Sequence, residues 1–146
     1  GEVDDVVAAG QYLAGLSNVD SDDISLVGVG SGGDLALLAA MVPGPFTRAA
    51  AIGADVDFEA VYASEADRAP FGDSADERRL RNPTAFVGSL RVPVVLYAPE
   101  GQRDLIALTQ RFRRQAQSIG KSCDYSEQKP EDLVVASLTH LREELE

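Results

Sequence analysis

Apolar residues recur along this chain in alternating helical and strand periods. Val3, Val6, Val7, Leu13 and Leu16 fall at helical spacing in "EVDDVVAAGQYLAGL". "ISLVGV" is a short continuous apolar run of the kind a buried strand carries, and "DLALLAAM" opens a second helix, which Pro43, Gly44 and Pro45 bring to an end. "TRAAAIGADV" predicts a second strand, weakened by its alanines and by Gly53. Residues 63–88 are charged and broken by Pro70, Gly72 and Pro83, which predicts a short helix within irregular structure. "VPVVLYA" is the strongest strand signal of all. Leu105, Leu108, Phe112, Ala116 and Ile119 then mark a helix ended by Gly120, "SCDYSEQ" reads as the last strand, and Val134, Leu138, Leu141 and Leu145 form the stripe of a C-terminal helix.

This order predicts an α/β fold: a mostly parallel sheet of about four strands with helices on both faces, in a single domain over residues 1–146. With 45% hydrophobic and 25% charged residues, the composition is that of an ordinary soluble domain. The formal net charge of −11 argues against nucleic acid or an anionic membrane as a partner, since either needs a basic footprint. No apolar run is long enough to span a bilayer. The chain begins at Gly1 rather than at a methionine and so reads as processed or cut from something longer, which leaves its compartment open. Cys123 is the lone cysteine and is expected to be a small buried hydrophobe. One cysteine and one histidine, His140, fall short of a four-ligand zinc site, so no metal is expected.

Sheets of this kind meet their ligands at the carboxyl ends of the strands. The residues to read are therefore 28–34, 53–59, 98–104 and 127–132. The glycines after the first strand admit two frames. Gly28, Gly30 and Gly33 satisfy G-x-G-x-x-G between a strand and a helix, with Asp55 and Asp57 roughly where a ribose-binding acid is sought. Against that nucleotide frame, Asp34 brings a carboxylate to the helix end a pyrophosphate needs, no Lys or Arg lies nearby, and a helix precedes the strand. In the other frame, G-x-S-x-G, the flanking glycines are Gly28 and Gly32 and the nucleophile position holds Gly30, with Ser31 one place too late.

At these residues the sequence resembles the alpha/beta-hydrolases, in particular the prolyl oligopeptidase and dienelactone hydrolase group. The resemblance runs through "EVDDVVAAGQYL", "NVDSDDISLVGVGSGGDLALLAA", "FTRAAAIGADVDFEAVY" and "RNPTAFVGSLRVPVVLYAPEG" to the end, and covers nearly all the chain as a counterpart of the family's C-terminal half. It implies a nucleophile at Gly30, where the family carries serine, cysteine or occasionally aspartate. It implies an acid at Gln102, in "PEGQ", with Glu100 and Asp104 as neighbouring carboxylates. It implies a histidine near residues 130–133, where Glu131 and Asp132 stand; His140 lies about two helical turns further on. Acyl transfer by this route needs a nucleophile, a base and an orienting acid. A carboxylate is a weak base at neutral pH and a poor substitute for the imidazole.

Gly30, Gln102 and Asp132 thus read as vestigial positions of a triad, and Gly at the elbow relieves the strain that any side chain there incurs. Ser31 and His140 are the remaining catalytic candidates; the hydroxyl of Ser31 is expected instead to cap the following helix. Asp55, Asp57 and Glu59 fail the calcium-loop frame at Ala60 and Ala66 and are expected at a helix N-terminus. "DERRLR" is expected to be a solvated helix face.

The leading expectation is a catalytically degenerate alpha/beta-hydrolase-like domain with a binding or structural role and no cofactor. The alternatives are a serine hydrolase fragment completed by a partner chain, and a nucleotide-binding domain using Gly28, Gly30 and Gly33. The family carries further strands before the first one seen here. The resemblance therefore makes the strand from Ile24 to Val29 a sheet edge; either it is expected to pair with another copy or another chain, or the chain is the C-terminal part of a larger protein.

Overall fold

The computed structural model of the chain describes residues 1–63, 74–129 and 132–145. Four strands, β1 (Ser25–Val29), β2 (Arg48–Ile52), β3 (Val94–Pro99) and β4 (Cys123–Gln128), form one parallel sheet in the order β1-β2-β3-β4. Among the described residues six helices accompany them: α1 (Glu2–Ala14), α2 (Ser31–Ala39), α3 (Phe58–Val61), α4 (Ala75–Leu80), α5 (Arg103–Ser118) and α6 (Leu133–Leu145), with a 3₁₀ segment at Pro83–Ser89. Parallel neighbours require crossovers, and each is supplied by a helix or by the longer stretch between β2 and β3.

Alternation along the strands sorts the core into two layers. Ala49, Ala51, Val94, Leu96 and Cys123 face α2, α5 and the 3₁₀ segment, meeting Leu37, Phe112, Ala116 and Val87. Ala50, Ile52 and Tyr97 face the other way, against Leu141 of α6. The alanines that weaken "RAAAI" as a strand signal lie in the middle of the sheet, where small side chains let helices on both faces approach. Cys123 is buried as expected, and burial pushes its thiol up to about 12.

Several boundaries and faces differ from the sequence expectation. Helix α2 begins at Ser31, inside the glycine cluster, rather than at Asp34. In α6 the buried positions are Ser137 and Leu141, whereas Val134 and Leu138 are exposed and the side chain of Leu145 lies outside the described residues. The stripe is displaced because α6 covers β2, β3 and β4 and leaves β1 open. Leu13 and Ile119 are likewise exposed, the latter just past the end of α5. Of the irregular stretch at 63–88, residues 64–73, with Pro70 and Gly72, lie outside the described residues; α4 and most of the 3₁₀ segment fill the remainder.

Strand β1 is a sheet edge, pairing with β2 alone among the described residues. Its register sets Val27 beside Ala50 and Val29 beside Ile52, on the α6 face, where they are 41% and 49% exposed.

Candidate functional site

The carboxyl end of β1 turns directly into α2, and the turn is built from glycines for distinct reasons. A Cβ on Gly28 would lie 1.9 Å from the Gly32 carbonyl oxygen, so no other residue fits there without moving backbone. A Cβ on Gly33 would press on Ala54 at 2.9 Å, so this glycine sets how closely α2 approaches the chain after β2. Gly30 is different. Nothing lies within 4 Å of where its Cβ would be, yet its φ of 57° and ψ of −126° tax any residue but glycine. Its N–H donates to the Ile52 carbonyl at 2.9 Å, and its own carbonyl accepts from Gly33 and Asp34 at 2.8 and 3.3 Å. Gly30 is thus the N-cap of α2, held at a sharp strand-to-helix corner with open space above it.

Ser31 follows as the first residue of α2 and is exposed. The expected cap from its hydroxyl is absent: Gly30 occupies the cap position, and no side-chain cap bond forms there. A serine at the first helical position is already past the place from which a side chain reaches back over the free amides.

The remaining candidates lie on other elements. Gln102 is the exposed N-cap of α5, following Gly101, whose φ is +84°. It shares an open cleft of about 720 Å³ with Asp55 and Asp104. Asp132 precedes α6, exposed, its N–H bonded to the Lys129 carbonyl at 3.1 Å; Pro130 and Glu131 lie outside the described residues. His140 sits on α6, where its Nδ1 shares a 2.8 Å hydrogen bond with the Tyr97 hydroxyl and the two rings meet edge-on. The imidazole is therefore engaged with the α6 face of the sheet.

Of the acids after β2, Asp57 and Glu59 take the helix-terminal places expected of them, whereas Asp55 precedes the cap and accepts from the Tyr62 hydroxyl. Asp57 caps α3 by accepting from the Ala60 N–H at 3.3 Å, and Glu59 pairs with Arg78 of α4. Arg81 pairs with Glu2 and Glu77, so the arginine run ties α4 to α3 and α1 as well as facing solvent.

Two arrangements escaped sequence reasoning: the contacts of Asn82 and the pairing of Asp34 with Asp55. Asn82 is buried and ties the start of the 3₁₀ segment to the start of α3: its Oδ1 accepts from the Phe58 and Thr84 N–H groups while its Nδ2 donates to Asp57. Asp34, in the first turn of α2, stands close to Asp55, whose carboxylate accepts from the Tyr62 hydroxyl at 3.1 Å. Burial, and after it the Asp55 charge, pushes the Asp34 carboxyl up to about 7, against the opposing pull of the Asp55 N–H. The signal in sequence was the single acid in an otherwise apolar helix, "SGGDLALLAA".

No protein-family model and no curated protein matches the sequence. Solved structures do match the fold. Dipeptidyl peptidase 4 of Porphyromonas gingivalis superposes with a TM-score of 0.75 at 18% identity, over 99% of this chain and 22% of that one. Acylaminoacyl peptidase of Pyrococcus horikoshii gives 0.72 at 18% identity, over 86% and 22%. Esterase B of Lactobacillus rhamnosis gives 0.73 at 16% identity, over 96% and 58%. The chain spans about a fifth of the length of the two peptidases. At such identities the likeness carries the architecture alone: this chain has the alpha/beta-hydrolase-like fold of those structures.

Proposed function

We propose that the chain is a catalytically degenerate alpha/beta-hydrolase-like domain, acting by binding or as a structural element. The observation that carries this reading is the corner at Gly30. Its backbone angles are those of a strained strand-to-helix elbow, the flanking Gly28 is sterically required, and the place where a nucleophile would stand holds no side chain. Gln102 and Asp132, which stand where the resemblance implies the orienting acid and the histidine, support the same reading. The test is hydrolysis of p-nitrophenyl acetate by the purified chain and by Ser31→Ala. Equal rates in the two proteins support the proposal. A rate that is lost in Ser31→Ala contradicts it.

The open edge of β1 favours a second reading, in which a strand from another copy or another chain extends the sheet and supplies the missing hydrolase groups. Light scattering tests its homo-oligomeric form. A dimer that Val29→Lys dissociates supports that form; a monomer at every concentration contradicts it.

A further inference from the structure

The cleft between α1, α2 and α4, which Ser31 and Gly32 of the elbow also line, has charged and apolar walls that neither reading uses. It is an open cavity of about 710 Å³, within the range that holds a small organic molecule. Part of its wall is apolar, with Leu35 and Leu38 from α2, Phe58 from α3 and Leu80 from α4. The charged part is mostly anionic: Glu2 and Asp4 from α1, Asp34 from α2 and Glu77 from α4 stand against the guanidinium of Arg81. Arg81 is engaged by Glu2 and Glu77, and Asp4 by the Gly1 ammonium.

Asp34 is situated differently. Its Oδ1 is buried without a hydrogen-bond donor among the described residues, and the charge acting on it is a second carboxylate, Asp55, behind which stands Tyr62. An anionic ligand meets net repulsion here, and a neutral apolar one leaves the Asp34 Oδ1 without a donor. A hard metal ion demands several oxygen ligands, and no group of three candidate ligands occurs among the described residues.

We propose that this cleft binds an organic monocation, an ammonium or amidinium on an apolar body, with Asp34 as counter-ion and Leu35, Leu38 and Phe58 around the apolar part. The proposal is independent of whether the elbow has lost its chemistry. Because Asp34 holds its proton to about pH 7, a cation must displace that proton, and affinity rises with pH through this range.

The test is an NMR titration of the whole chain with three probes of similar shape: 2-phenylethylammonium, 2-phenylethanol and 3-phenylpropanoate. The ammonium alone is expected to give saturable shifts at the amides of α2 and Phe58, about tenfold tighter at pH 8 than at pH 6, given ionisation near 7. In Asp34→Asn, which removes a half-buried charge and is expected to fold, both the binding and its pH dependence disappear. Should that variant not fold, the three probes on the native chain decide the matter. Equal shifts from all three, no saturable shift from the ammonium, or undiminished binding to folded Asp34→Asn would overturn the proposal.

Discussion

Gly28 and Gly30 lie two residues apart in one turn and are glycine for unlike reasons, one steric and one conformational. Gly28→Ala drives a methyl group into the Gly32 backbone, so it is expected to abolish folding or cost more than about 3 kcal/mol. Gly30→Ala meets open space and incurs only the cost of its backbone angles, about 1–3 kcal/mol. Urea denaturation of the two variants checks the ranking, and equal midpoints would contradict it. Asp34 adds a pH dependence. Its carboxyl ionises near the ordinary 3.8 in the unfolded chain and near 7 in the folded one. Between those values the folded state binds more proton, so this group's contribution to stability falls as pH rises from about 4 to 7 and is level above that. Asp34→Asn should therefore match the native chain near pH 4 and exceed it at pH 8 by on the order of 1–2 kcal/mol, after allowance for partial exposure. A variant less stable than the native chain at pH 8 would contradict this. The glycine turn was legible because its spacing is local. The pairing of Asp34 with Asp55 was not, because it forms only when α2 lies down beside the chain after β2.

At the scale of elements, strands and helices emerged from periodicity, and the errors concern which face of a helix is covered. Val134, Leu138 and Leu141 are at regular helical spacing, yet only Leu141 is buried, since α6 spans three of the four strands. An apolar stripe read from sequence assumes a neighbour along its whole width, and β1 provides none. Leu141→Ala should cost about 2–3 kcal/mol by opening space against Ile52 and Tyr97, whereas Val135→Ala should stay within about 0.5 kcal/mol. Thermal denaturation separates the two. Comparable losses would mean that α6 docks by another face.

For the whole molecule, the parallel order β1-β2-β3-β4 places the residues after each strand along one edge, where the chain's chemistry is to be sought. What occupies that edge is a corner without a side chain, a glutamine at a helix cap, and an exposed aspartate, with the imidazole turned to Tyr97. Order and spacing made the fold readable from sequence, and the glycine at position 30 and the glutamine at position 102 were visible once the elbow was framed. The engagement of His140 was not, because it depends on how α6 crosses β3. Lost acyl chemistry is tested most directly by exposing the chain to a serine-reactive fluorophosphonate and weighing the intact protein. The expected spectrum shows the unmodified mass alone. An adduct localised to Ser31 would establish an activated hydroxyl at the corner and contradict the reading of a degenerate site.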